Sequence, residues 1–459
     1  MSNTVNGRDP PIVPPPTAAL AKAHRLPRLD LICLALVACP AAYFAVHSLL
    51  FAASVTGSLP LGDAYTFYIF HYFRFVDGTY SFWHLFDTHN DHLILTTRLV
   101  LFADAVWFHA SGKFALVVTY LLALAIALTL AHLAATPRKW QVAALAVIFL
   151  GLGCARIQLQ DLTTPFQVGF FFVHAFALAT LIALWRGLAG QRWWYALAFA
   201  CDFVTVFSLG SGVLIGAAAV ALAMWLRKFD RLFALFLVFH AGLVGLVAWM
   251  LAGAGRLEVS LPPGWTDLVT FFLVFLGDFV QAWPGWVMPV GTLVAATGCG
   301  LLVWVTWRSL RSRAEPGGQA DVLAAMVLFL LLEAAIATIA RARFSWVEAL
   351  ELRYTNSTLL LVVTLCALAW RLFPQAVSRV AALVALTAVL FASNNVVFEN
   401  DWRQQHEKMD AIAAAIAKGA IPSGAAATLF TSPAMLEAVI WRYQALGLGP
   451  FAHPGGEAR

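Results

Sequence analysis

Charge is what this chain has least of. Only 12% of its 459 residues are Asp, Glu, Lys or Arg, about half the share of a soluble domain. That deficit excludes a fully solvated globular surface. Cysteine is sparse too: Cys33, Cys39, Cys154, Cys201, Cys299 and Cys366 all fall inside apolar segments, with no CxxC pair. A disulfide framework and a zinc site are therefore not expected. The chain has no Walker loop, no GxSxG, no nucleic-acid module and no repeat at a fixed period. ATP is not signalled as an energy source, and no nucleic acid is expected as a partner.

What is present in excess is apolar surface. Residues of apolar type make up 61% of the chain, and the mean hydropathy is +0.80. Such a chain must meet lipid over much of its surface, so the expected fold is an all-α polytopic membrane protein. Apolar runs suited to spanning lie at 30–53, 114–134, 141–156, 168–186, 193–208, 212–227, 231–252, 286–307, 320–340, 356–372 and 377–393. That makes about eleven spans of the length a bilayer requires. Two further stretches, 93–109 and 266–283, are interrupted by Arg98 and Asp104 and by Asp278. They are expected to be interfacial or re-entrant helices.

The charges that exist are sorted. With the N-terminus inside, the inner connections hold Arg138 and Lys139, Arg186 and Arg192, Arg227 and Lys228, then Arg308, Arg311 and Arg313. This is the positive-inside bias. Most acids fall in the opposite loops, among them Asp63, Asp77, Asp87, Asp91, Asp104, Asp161 and Asp278. The expected organisation is a disordered cytoplasmic tail over 1–28, a transmembrane domain over 29–393 and a short extracytoplasmic tail over 394–459. The first span is expected to act as a signal anchor. Within the domain, 54–113 forms a long extracytoplasmic first loop, and the expected location is a bacterial inner membrane. Function is expected on the outer face.

Four groups of residues could carry chemistry. In LPLGDAY, Asp63 follows a turn fixed by Pro60 and Gly62. A carboxylate there could take the proton of a hydroxyl as general base, or could simply cap its own turn. In THNDHLILTTR, His89, Asn90, Asp91 and His92 could bind a metal, contact a polar substrate, or cap the helix that follows. Arg98 on that helix is expected to pair with a phosphate or with an acid such as Asp104. In ARARFSWVEALELRYTNS, Arg341, Arg343, Arg353 and Tyr354 suit a phosphate or diphosphate, with salt bridging to Glu348 and Glu351 as the plainer reading. RIQLQDLTTPFQVGFFF adds Arg156, Gln158, Asp161 and Gln167 to the outer face. Inside the spans, Asp202 and Glu333 could form a proton path or be hydrogen-bonded within the bundle, the latter reading also suiting His174 and His240.

A single anchor, a long outer loop opening with an acid, and a bundle of further spans resembles the GT-C superfamily of integral-membrane glycosyltransferases. The HNDH…R, LQDLTTPFQVGFF and LRYTNSTLLL stretches look like those of bacterial membrane proteins of that GT-C-like kind. The resemblance implies a polyprenyl-phosphate sugar donor, a glycan or lipid acceptor, membrane lipids as surroundings, and inverting transfer. It places Asp63 as the catalytic acid of the first loop, with Asp91 as the second carboxylate where members carry two. It assigns Arg341, Arg343 or Arg353 to the donor phosphate and leaves a divalent cation as an optional cofactor. A lipid-linked oligosaccharide flippase or other transporter using Asp202 and Glu333, and a polysaccharide polymerase, are the alternatives.

Overall fold

The computed structural model describes residues 27–57, 59–90, 92–135, 139–255, 264–311 and 318–452. These residues are almost wholly helical, with no β-strand and one isolated bridge between His89 and His92. A chain in lipid must close its backbone hydrogen bonds internally, and a helix does so within one segment. Helices of ten residues or more are α1 (Pro27–Val55), α2 (Leu95–Phe108), α3 (Lys113–Ala134), α4 (Lys139–Gly153) and α5 (Val168–Leu188). They continue as α6 (Trp194–Val206), α7 (Ile215–Leu226), α8 (Arg231–Gly253), α9 (Trp265–Gly277) and α10 (Pro284–Arg311). The last are α11 (Gln319–Arg341), α12 (Thr355–Leu372), α13 (Ala376–Ser393), α14 (Val396–Ala417) and α15 (Pro433–Ala445).

Among the described residues eight helices are long and apolar enough to cross a membrane, or nine if one bent pair counts as a span. The expected eleven is therefore not reached. The shortfall lies in α6 and α7, which have 13 and 12 residues. At 1.5 Å per residue each reaches only about 20 Å, short of a ~30 Å hydrocarbon core. The bent pair is α4 and the following Arg156–Thr163 segment, which turn by 50° at the break. Helices α2 and α9 are likewise short, with 14 and 13 residues.

Small residues let the helices approach closely, as expected where lipid supplies no hydrophobic drive between them. A Cβ at Gly151 of α4 would lie 2.6 Å from the Ala41 carbonyl of α1. Gly277 and Gly291 bring the backbones of α9 and α10 into contact in the same way. The main core lies between α11, α12 and the helices around them. Several tryptophans are exposed, Trp83, Trp107, Trp193, Trp249, Trp265 and Trp307 among them.

A second core forms a cap over the first-loop end. The contiguous segments Ala64–Phe67, Tyr68–Tyr72 (a π-helical turn) and Phe73–Val76 pack with α2, α14 and α15. Tyr68 meets Tyr443 edge-on at 4.9 Å between ring centres, Gly62 N–H donates to Leu429 O at 3.0 Å, and Arg442 pairs with Asp77. Residues 394–452 are thus one half of a folded cap rather than a tail. Helix α14 shows why: Met409, Ile412 and Ile416 face the cap core, while Glu407, Lys408 and Asp410 face out. The cap is tied to the bundle by Glu399, whose carboxylate meets His47 at 2.8 Å, Arg156 at 2.9 Å and Arg403 at 2.8 Å.

Candidate functional site

Asp63 opens the short helix Ala64–Phe67, yet its side chain makes no capping bond. The turn-capping reading is therefore overturned. Its Oδ2 instead lies 3.5 Å from His89 Nε2, and 44% of the side chain stays accessible. The close contact with His89 holds the carboxyl below the ordinary value of 3.8; burial opposes this, and the charges of His89, Arg353 and His92 assist it. Asp63 is consequently ionised at neutral pH.

The histidine motif folds as a two-residue hairpin. His89 N–H donates to His92 O at 2.8 Å, and His92 N–H returns a bond to His89 O at 3.0 Å. Asn90 takes the left-handed conformation (φ 50°) that such a turn needs, and Asn tolerates it better than most residues. Helix α2 starts with Ile94 at its cap position and no side-chain cap, so the motif does not serve as an N-cap. Asp91 lies outside the described residues. Among the described residues no three His, Cys, Asp or Glu side chains are grouped to hold a metal ion.

These groups converge on one cavity of about 220 Å³ at the first-loop end of the bundle. Asp63, Asn90 and His92 reach it from the first loop, Arg341 from the end of α11, and Arg353 and Tyr354 from the turn before α12. The start of α12 adds the partial positive charge of a helix N-terminus. Gln167 and the Leu209–Ser211 break between α6 and α7 complete the polar lining, while Phe275, Ile336, Ala337 and Ala340 form an apolar wall. The Arg353 guanidinium lies 5.3 Å from the Tyr354 ring centre. His89 backs Asp63 from behind, 8% exposed and packed 5.0 Å from the Phe166 ring centre.

Three expected binding residues do not line the cavity: His89, behind Asp63, and Arg98 and Arg343. Arg98 is 1% exposed and donates to the carbonyls of Leu85 at 2.9 Å and Asp87 at 2.5 Å. It braces the segment before the hairpin rather than meeting a phosphate, and burial lowers its pKa to about 10. Asp104, its expected partner, instead accepts from the backbone N–H groups of Gly112 at 2.8 Å and Phe114 at 3.1 Å, capping α3. Arg343 is exposed, lies over the Phe344 ring at 4.7 Å, and does not line the cavity. Gln158, Asp161 and Asp278, expected on the outer face, are 1%, 1% and 0% exposed.

One cavity residue was expected only as a bundle acid. Glu333 borders the cavity and meets His174 Nε2 at 2.8 Å. His174 Nδ1 meets Asn356 Oδ1 at 2.8 Å, and Asn356 Nδ2 donates to Gln158 Oε1 at 3.1 Å. Its partners come from α5 and α12, so no local motif announces them. Asp202 has its own partner, His240, at 3.0 Å, and is not among the cavity residues. No family model matches the chain, and neither curated proteins nor solved structures match it.

Proposed function

We propose that the chain is a GT-C-like membrane glycosyltransferase, moving a sugar from a polyprenyl-phosphate donor to a cell-envelope glycan or lipid acceptor. The observation that carries the reading is the single cavity shared by Asp63, Arg341 and Arg353. Arg341 and Arg353 line that cavity beside the ionised Asp63, and a guanidinium fork suits phosphate oxygens. The apolar wall and the exposed Ile339 and Phe344 beyond Arg341 suit a lipid chain. An amphipathic phosphate is the ligand class that uses both.

In the transfer step the acceptor hydroxyl oxygen bonds to the anomeric carbon as the bond from that carbon to the phosphate oxygen breaks. The hydroxyl proton passes to Asp63, and the departing lipid phosphate keeps the bonding pair and gains negative charge beside Arg341 and Arg353. Asp63 is a weak base because His89 lowers its pKa. Its contribution is to orient the hydroxyl and accept the proton late, when the oxygen has become acidic.

The test is transfer from a labelled polyprenyl-phosphate sugar by the purified chain in liposomes. Asp63→Asn is expected to cut transfer about 10²- to 10⁴-fold with an unchanged unfolding temperature. Full activity in the variant overturns the assignment.

A further inference from the structure

The cavity has depth, and its chemistry changes along it. On α11, Glu333, Ile336, Ala337, Ala340 and Arg341 line it. Glu333 and Arg341 are thus separated by roughly 12 Å along the helix axis. On the other wall Ser357 lies one turn beyond Arg353, and its Oγ is 3.5 Å from His174 Nε2, at the level of Glu333. Both walls therefore run from a cation at the mouth to oxygen-bearing groups at the floor.

Hydrogen-bond accounting fixes what the floor presents. Asn356 donates through Nδ2 to Gln158, so its Oδ1 accepts from His174 Nδ1–H. His174 Nε2 and Glu333 Oε2, 2.8 Å apart, then need a proton between them, whichever atom holds it. The pair is neutral as a unit. It neither adds to the pull of the arginines nor repels an anion. Glu333 is 4% exposed and locked by a chain of bonds through α5 and α12. A fixed, neutral, oxygen-bearing floor recognises hydroxyl groups, because a hydroxyl can satisfy buried oxygens that an alkyl group leaves unpaired.

We propose that Glu333 and Ser357 form a hydroxyl-binding subsite that selects the sugar of the lipid-linked donor. The donor enters sugar first, with its hydroxyls at the floor, its phosphate at Arg341 and Arg353, and its lipid chain leaving past Ile339. The inference rests on the lipid-phosphate reading above and adds the residues that tell a glycosylated lipid phosphate from a bare one.

The experiment measures binding to the purified full chain in nanodiscs. The probes are a bare polyprenyl phosphate and a panel of the same lipid carrying a hexosyl, pentosyl or N-acetylhexosaminyl group. Wild type is expected to bind at least one sugar-bearing member about tenfold tighter than the bare lipid. Glu333→Ala removes that preference and leaves the affinity for the bare lipid unchanged. Glu333→Gln, whose amide can donate to His174 Nε2 and keep an oxygen toward the cavity, restores most of it. Ser357→Ala, a smaller change that serves if the alanine variant at 333 does not fold, reduces the preference about threefold. Arg353→Ala weakens all probes alike. A wild type that prefers no sugar-bearing member overturns the subsite and leaves the lipid-phosphate reading standing, as does an unchanged preference in Glu333→Ala or Ser357→Ala. A wild type that binds no lipid phosphate at all overturns both.

Discussion

Two buried pairs of carboxyl and imidazole cross this bundle, and they are chemically alike. Glu333 meets His174 at 2.8 Å, and Asp202 meets His240 at 3.0 Å. In each, the second ring nitrogen faces an oxygen: Asn356 Oδ1 at 2.8 Å in one, the Val213 carbonyl at 3.1 Å in the other. In each, a proton must bridge acid and base. What differs is the wall behind them. Glu333 opens onto the cavity that holds Asp63 and two arginines. Asp202 is fully buried, with Gly216 pressed against the His240 ring and Phe236 stacked on it. Of the two acids, only Glu333 borders space that a ligand could enter. The other pair is a cross-brace between helices.

That contrast can be broken from either side. The largest effect is expected at the sealed pair. Asp202→Ala leaves His240 without its partner and costs about 3–5 kcal/mol, read as a lower unfolding temperature in detergent. The folded fraction keeps its affinity for lipid phosphate; a loss of that affinity would abolish the distinction. Next is Gly216→Ala. Its Cβ would lie 2.4–2.5 Å from His240 ring atoms, and displacing a packed ring costs about 1–3 kcal/mol. The same unfolding measurement should rank it below Asp202→Ala. The smallest effect is a sharpening at the cavity. His89→Gln weakens the contact that lowers the Asp63 pKa. In the proposed transfer the active form is the carboxylate, so wild-type transfer is expected to be flat through neutral pH and to fall only as pH drops through the lowered value. In the variant that acid limb moves to higher pH; a limb that stays put would remove His89 from the site.

Much of the candidate site was legible because its parts sit at the ends of apolar runs. Asp63, Asn90, His92, Arg341, Arg353 and Tyr354 all fall where the chain leaves the bundle on one side, and helices that alternate in direction bring such positions together. What the sequence hid are environments. Arg98 and Arg353 are both arginines beside a helix start, yet one is spent on two backbone carbonyls and the other lines a cavity. Glu333 finds its histidine 159 residues away on another helix, a separation at which no local spacing rule operates. The number of spans was overread for a related reason. Apolar runs measure what water must not meet, and α6 and α7 are apolar over a length too short to cross lipid.

The two-part cap also sets an order of events. The first loop and α15 are joined by Asp77 and Arg442 across 365 residues. At about 5–20 residues per second, a ribosome needs roughly 20 to 70 seconds to make the chain between them. Throughout that interval Tyr65, Phe67 and Tyr68 have α2 beside them but lack the cover that α15 supplies. The aromatic layer that follows Asp63 is therefore among the last parts of the molecule to be fully covered, although it is among the first translated. A delay in inserting any intervening helix lengthens the exposure of that aromatic layer, and mutations far from the cavity can lower the yield of finished protein by this route alone.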